Sequence, residues 1–125
     1  MLPKEKGDRA VGHAIRHFLS SGYEVLLPIG DKRPYDLVVE QQGRLQKVQV
    51  KYGGRYRNHD KCTVALRVMG GNQSYHTAKR YSVGDFDLLF VYTATDKNYL
   101  VPWEAVVGKS SIRIECGRYS MYSID

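Results

Sequence analysis

Between residues 8 and 20 the apolar positions Ala10, Val11, Ala14, Ile15, Phe18 and Leu19 recur at spacings of three and four. That period lines one face of an α-helix, and Gly22 stands where such a helix should stop. Beyond it the pattern turns extended. Residues 23–28 read as a strand, 29–34 as a breaker-rich turn and 35–40 as a second strand, with Gln41, Gln42 and Gly43 closing a hairpin. The third strand, 44–52, alternates, with Leu45, Lys47, Gln49 and Lys51 on one face and Gln46, Val48, Val50 and Tyr52 on the other. A fourth strand is predicted over 62–68, followed by a long polar stretch, 69–85, of the kind that is functional or flexible in a compact domain. Residues 86–93 are nearly all apolar, which predicts a central strand buried on both faces. Residues 99–102 read as its hairpin partner, 103–107 as a short helical segment and 111–115 as an edge strand, while the tail from Cys116 is not fixed.

A chain of 125 residues fits one domain, 1–125, and no repeat or low-complexity linker divides it. Its 42% hydrophobic and 26% charged residues exclude a disordered chain and leave enough apolar material for a core. No apolar run approaches the roughly 18 residues of a membrane span, and the opening residues lack the apolar stretch of a signal peptide. A cytoplasmic protein without a membrane partner is expected. Cys62 and Cys116 form no CxxC pair and are read as small buried apolar residues.

The net charge of +6 is concentrated in the middle of the chain. Residues 44–80 hold nine basic residues against one acid, Asp60, whereas the flanking segments are balanced or acidic. A segment that repels itself so strongly favours a polyanion, and nucleic acid is the commonest; a solvated basic face is the alternative.

The candidate chemistry lies on the predicted hairpin. An acid on one strand, Asp36, faces an amide and a cation on the next, Gln49 and Lys51. Carboxylate and carbonyl oxygens suit Mg²⁺, and a lysine beside the attacking water can orient it or stabilise charge on phosphorus. The implied reaction is phosphodiester hydrolysis. Taken alone the spacing is weak, and a partly exposed surface trio explains it too.

The run Tyr35-Asp36-Leu37-Val38-Val39 with Val48-Gln49-Val50-Lys51 resembles the core motif of the PD-(D/E)XK nuclease superfamily. Gln-Val-Lys in place of Glu-X-Lys is similar to its intron-encoded (group I intron) homing endonuclease subgroup. The resemblance extends from residue 4 to about residue 104, through Lys4-Glu5-Lys6-Gly7-Asp8, Gly22-Tyr23, Pro28-Ile29-Gly30-Asp31, the run Asp85 to Tyr92, and Tyr99-Leu100-Val101-Pro102. It implies an α/β fold with a restriction-endonuclease-like core, a mixed central sheet flanked by helices. It also implies Asp36 and Gln49 as ligands of Mg²⁺ (Mn²⁺ may substitute), the main-chain carbonyl of Val50 as a third, and Lys51 as the catalytic lysine.

One position departs from the family pattern. Members usually carry a glutamate in the first helix, four residues after the glycine of the Lys-Gly motif, and Val11 stands there. Divergence, a weakened second metal site and an inactivating change all fit it. Asp8 shares the helical face and is a candidate substitute for the missing acid, but is read here as a helix cap, an acid favoured at a helix start.

Arg55, Tyr56, Arg57 and Lys61 follow the catalytic strand and are the expected phosphate contacts, joined by Arg67, Lys79 and Arg80. Tyr52, Tyr56, Tyr75 and Tyr81 interleave with these cations, a composition suited to phosphate and base contact or to packing on a sheet edge. Asn72, Gln73 and Arg67 are candidate base readers. His13 and His17, four apart, lack the third ligand a zinc site needs. Asp85 and Asp87 read as turn acids, and Trp103 as a core or interface anchor. The expected partner is double-stranded DNA. Because one small domain has one active site, cutting both strands calls for a homo-oligomer, a dimer or tetramer, and Tyr119, Met121, Tyr122 and Ile124 are candidates for its interface. The competing readings are a catalytically inactive DNA-binding module of the same fold and an RNA-binding or structural domain indifferent to metal.

Overall fold

The computed structural model describes residues 1–55, 61–68 and 79–125. Helix α1, Pro3–Ser20, starts five residues earlier than the apolar period alone indicates. Pro3 is suited to that start, because its fixed φ is helical and its missing N–H is not needed there. At the other end Gly22 adopts φ 86, the Tyr23 amide donates to the Phe18 carbonyl (2.9 Å) and the Gly22 amide to Leu19 (3.2 Å). Together these form the double hydrogen bond of a glycine-terminated helix, and the Tyr23 ring closes it against Phe18 at 5.2 Å. With Leu2 as the residue preceding the helix, Asp8 sits in the second turn and is exposed, so the expectation that it caps the helix is corrected.

The main sheet is built on β3, Arg44–Arg55. Strands β1 (Glu24–Leu26) and β2 (Leu37–Gln41) lie antiparallel on one side of it, and a two-residue turn with Gln42 at φ 53 and Gly43 at φ 81 joins β2 to β3. β4 (Cys62–Ala65) pairs with the far end of β3, through Gly54↔Thr63 and Arg55↔Cys62. Strand β5 (Arg67–Val68) forms a separate two-stranded ribbon with β6 (Lys79–Arg80). The single strand expected over 62–68 is therefore two, separated by buried Leu66.

β7 (Leu88–Thr93) runs parallel to β3, and β8 (Asn98–Pro102) closes an antiparallel hairpin on it. As expected, β7 is interior and apolar on both faces, although β3 is the strand with neighbours along its whole length. A 3-10 turn at Trp103–Ala105 leads to β9 (Ser111–Arg113), which pairs with β4. The tail then forms α2, Gly117–Ser120.

The sheet separates two apolar clusters. On one face Ala10, Ala14 and Phe18 of α1 meet Leu37, Val39, Val48, Val50, Phe90 and Tyr92. On the other, Leu89, Val91 and Val101 pack with Val64, Leu66, Phe86, Val106, Ile112, Ile114 and Tyr119. Tyr119 belongs to this second core, with Tyr122 against it and Ile124 against the first, so of the four expected interface residues only Met121 is well exposed. Trp103 packs edge-on against Phe86 at 5.0 Å, which makes it a core anchor. Cys62 is buried as expected, but Cys116 is half-exposed. Among the described residues no helix is long and apolar enough to cross a membrane.

Candidate active site

Asp36 stands immediately before β2, beyond its last ladder pair, Leu37↔Val48. There its main-chain amide donates to the Val48 carbonyl at 2.8 Å, and its side-chain Oδ2 accepts from the Val50 amide at 2.8 Å. The carboxylate is thus clamped to β3 by both its backbone and its side chain, which leaves Oδ1 outside that bond. Gln49 is buried, and its Nε2 donates to the Val50 carbonyl at 3.2 Å. Lys51, two residues on and so on the same face, holds its ammonium 5.5 Å from the centroid of the Tyr81 ring.

Burial dominates the electrostatics here. Loss of water pushes the Asp36 carboxyl upward, opposed by the Val50 N–H and by Lys51. It pushes the Lys51 ammonium downward, opposed by Asp36. The Tyr81 hydroxyl is driven well above its ordinary range, first by burial and then by the charges of Asp36 and Asp85. The Asp36 carboxylate therefore acts on both the Lys51 ammonium and the Tyr81 hydroxyl in a half-dry recess, the setting in which pKa values depart from their solution values.

The donor set suits a hard divalent cation. Asp36 supplies carboxylate oxygen and Val50 a main-chain carbonyl; turned about its last torsion, the Gln49 amide presents oxygen where nitrogen now donates. Among the described residues no three of His, Cys, Asp and Glu gather as a metal cluster. Val11 is half-buried against the cluster that contains Val50 and Tyr52, where an apolar side chain fits the packing and offers no ligand.

The remaining expected residues fall into separate groups. Arg55 is exposed at the end of β3, and its charge helps hold Glu115 low against the upward push of burial, with hydrogen bonds from Cys62 and Thr95 acting the same way. Lys61 is exposed just before β4. Arg67, Lys79 and Arg80 come together on the β5–β6 ribbon. Tyr56, Arg57, Asn72, Gln73 and Tyr75 lie outside the described residues.

Tyr52 belongs to the helix face, with the Lys6 ammonium 5.5 Å from its ring centroid. The two histidines are structural: His13 stacks on Tyr92 at 3.8 Å, and His17, lowered by burial, packs on Phe18 and Phe90. Asp85 accepts from the Ser82 amide, as a turn acid should, whereas Asp87 accepts from the Lys47 amide of β3 and so ties the start of β7 to that strand, correcting its reading as a turn acid. The close pairing of Tyr81 with Lys51 escapes a reading by sequence, since thirty positions separate the two and only the fold joins them.

The family model described as PD-(D/E)XK endonuclease matches residues 1–120. The chain belongs to that family. Protein 5.3 of Escherichia phage T7 is 33% identical over 96 residues, covering 76% of this chain and 75% of the phage protein. Among solved structures, the bacterial homing endonuclease I-Ssp6803I superposes with a TM-score of 0.81 at 31% identity, covering 96% of this chain and 87% of that one. The expected mixed α/β, endonuclease-type fold is borne out. Within this PD-(D/E)XK chain, the positions that carried the resemblance, Asp36 and Gln49-Val50-Lys51, are the ones assembled in the recess.

Proposed function

We propose that this PD-(D/E)XK protein is a Mg²⁺-dependent DNA endonuclease of the sequence-specific homing type, akin to the intron-encoded subgroup and acting in the cytoplasm as a homo-oligomer on double-stranded DNA. The observation that carries the reading is the clamp of Asp36 onto Val50 beside Gln49 and Lys51. Asp36, the Gln49 carbonyl oxygen and the Val50 carbonyl would hold the divalent ion. When bound, such an ion lowers the pKa of a water and neutralises phosphate charge.

The chain's own groups do the rest. The Lys51 ammonium, half-buried and close to Asp36, donates to a phosphate oxygen or to the attacking water and offsets the negative charge that develops on phosphorus. The Val50 amide holds Asp36 in one orientation, so the carboxylate reaches the phosphate already aimed. Arg55 and Lys61 would line the approach of the DNA backbone. Oligomerisation supplies the second active site that a double-strand cut needs.

Plasmid and linear duplex incubated with Mg²⁺ or Mn²⁺ test this. Cleavage should appear, and Lys51→Ala should lower its rate by about a thousandfold, the scale of losing a group that stabilises transition-state charge. Cleavage untouched by Lys51→Ala removes the recess from the chemistry.

A second reading has one observation in its favour, the apolar Val11 packed where family members place an acid. It makes the protein a DNA-binding module with weak or no cutting. Tight duplex binding without cleavage, and cleavage switched on by Val11→Glu, would establish it.

A further inference from the structure

Ribbon β5–β6 is an isolated pair of two-residue strands in which Arg67 stands directly opposite Arg80, and the Val68 backbone opposite Lys79. Directly opposed residues of an antiparallel pair project to the same side, with Cβ atoms about 5 Å apart. Both arginines are exposed. Two like charges so placed destabilise the pairing, and none of the four ladder residues, Arg67, Val68, Lys79 and Arg80, is an acid that offsets that. An anion or a row of acceptors lying across the ribbon would.

The residues flanking the ribbon locate it. Leu66 precedes β5 and is buried in the second core, and Tyr81 follows β6 and packs against that same core. Tyr81 is also the residue whose ring lies 5.5 Å from the Lys51 ammonium and edge-on to Phe86 at 5.0 Å. The ribbon is therefore rooted at the candidate active site, and each of its arginines lies one extended residue, roughly 3 Å of chain, beyond the root.

A two-stranded ribbon fits the major groove of B-DNA, and arginine there makes its commonest specific contact, a bidentate pair with O6 and N7 of guanine. Two forks about 5 Å apart suit neighbouring base pairs. We infer that β5–β6 is a base-reading ribbon whose Arg67 and Arg80 recognise guanines in the major groove beside the scissile phosphate. This deepens the endonuclease reading and rests on it. Basic side chains also guard exposed strand edges against aggregation, a role that needs no DNA.

Selection from a randomised duplex library, without added divalent metal so that nothing is cut, separates these possibilities. The protein should enrich guanine at one or two adjacent positions, with a preference of about tenfold or more at each. Arg67→Ala with Arg80→Ala should erase that preference and leave the other selected positions in place. Arg67→Lys with Arg80→Lys should reduce it while retaining most of the affinity, because lysine keeps the charge and can still donate to guanine but lacks the rigid fork.

Methylation of guanine N7 in the selected duplex should weaken binding by the original protein and leave the alanine variant indifferent. If both alanine substitutions weaken all sequences equally and shrink the log–log salt slope by about one per residue, the arginines touch phosphate and the inference falls. If neither property moves, the ribbon is only a protected edge and the inference again falls. Failure of the protein to bind any duplex sinks the endonuclease reading itself, and the ribbon's role with it. Because Arg67 and Arg80 are exposed, an unchanged melting temperature will show that each variant is folded.

Discussion

The two faces of β3 are made from one stretch of chain and do opposite things. Val48, Val50 and Tyr52 turn toward α1 and join a cluster in which Ala10, Ala14, Phe18 and Phe90 have no exposed surface. Gln49 and Lys51, the residues between them, turn the other way; the Gln49 amide donates to the Val50 carbonyl, and Lys51 meets Asp36 and Tyr81. The helix face gains from every methylene removed from water. The other face holds a carboxylate and an ammonium in surroundings that oppose the charge of each. The proposed catalytic groups are thus attached directly to a strand whose other face is seated in the hydrophobic core.

The largest effect should come from breaking the helix face. Phe90→Ala leaves a cavity beneath α1 and should lower the unfolding free energy by about 3–5 kcal/mol in urea titrations. A loss below about 1 kcal/mol would mean that α1 is not seated as described.

The opposite sign is expected across the sheet. Asp36→Asn combined with Lys51→Met removes both charges at once and should leave the fold as stable or more stable, by about 1 kcal/mol, while abolishing activity. This gain should depend on pH. The fold raises the Asp36 pKa, so its contribution to stability is fully present below the ordinary carboxyl value and is lost as pH rises through the folded value. The fold lowers the Lys51 pKa, so its contribution is present above the ordinary lysine value and is lost as pH falls through the folded value. The advantage of the double variant should therefore be greatest near neutrality and shrink in acid and in alkali. An advantage that is flat with pH would show that the pair is well solvated.

The smallest effect concerns Tyr81. Tyr81→Leu removes the aromatic face near the ammonium and should shift the alkaline limb of the cleavage profile to lower pH, with a two- to fivefold loss of kcat, the size of an exposed cation–π contact. Tyr81→Phe keeps the ring and should restore both. Equal behaviour of the two variants would mean that Tyr81 acts only as packing.

Much of this was legible along the chain. The apolar period of α1, the alternation of β3, the doubly apolar β7 and the Gln42-Gly43 turn all express local preferences that the tertiary structure obeys. Strand alternation puts Gln49 and Lys51 on one side, and the resemblance to the PD-(D/E)XK motif is what singles them out together with Asp36. What went astray depended on distant partners. Asp8 lost its capping role because Pro3 starts the helix earlier. The tail beyond Cys116 looked undetermined, yet Tyr119 fills the second core and the Ile124 amide donates to the Asn98 carbonyl at 3.0 Å.

By itself, then, the sequence determined which residues face a core, where the strands turn and which acid, amide and lysine have the spacing of a nuclease, because periodicity and backbone preference act over a few residues. The tertiary structure alone decided that Tyr81 lies near Lys51 and that Arg67 stands opposite Arg80. Those neighbours come from segments far apart in the chain, and only closure of the sheet and its second core brings them together.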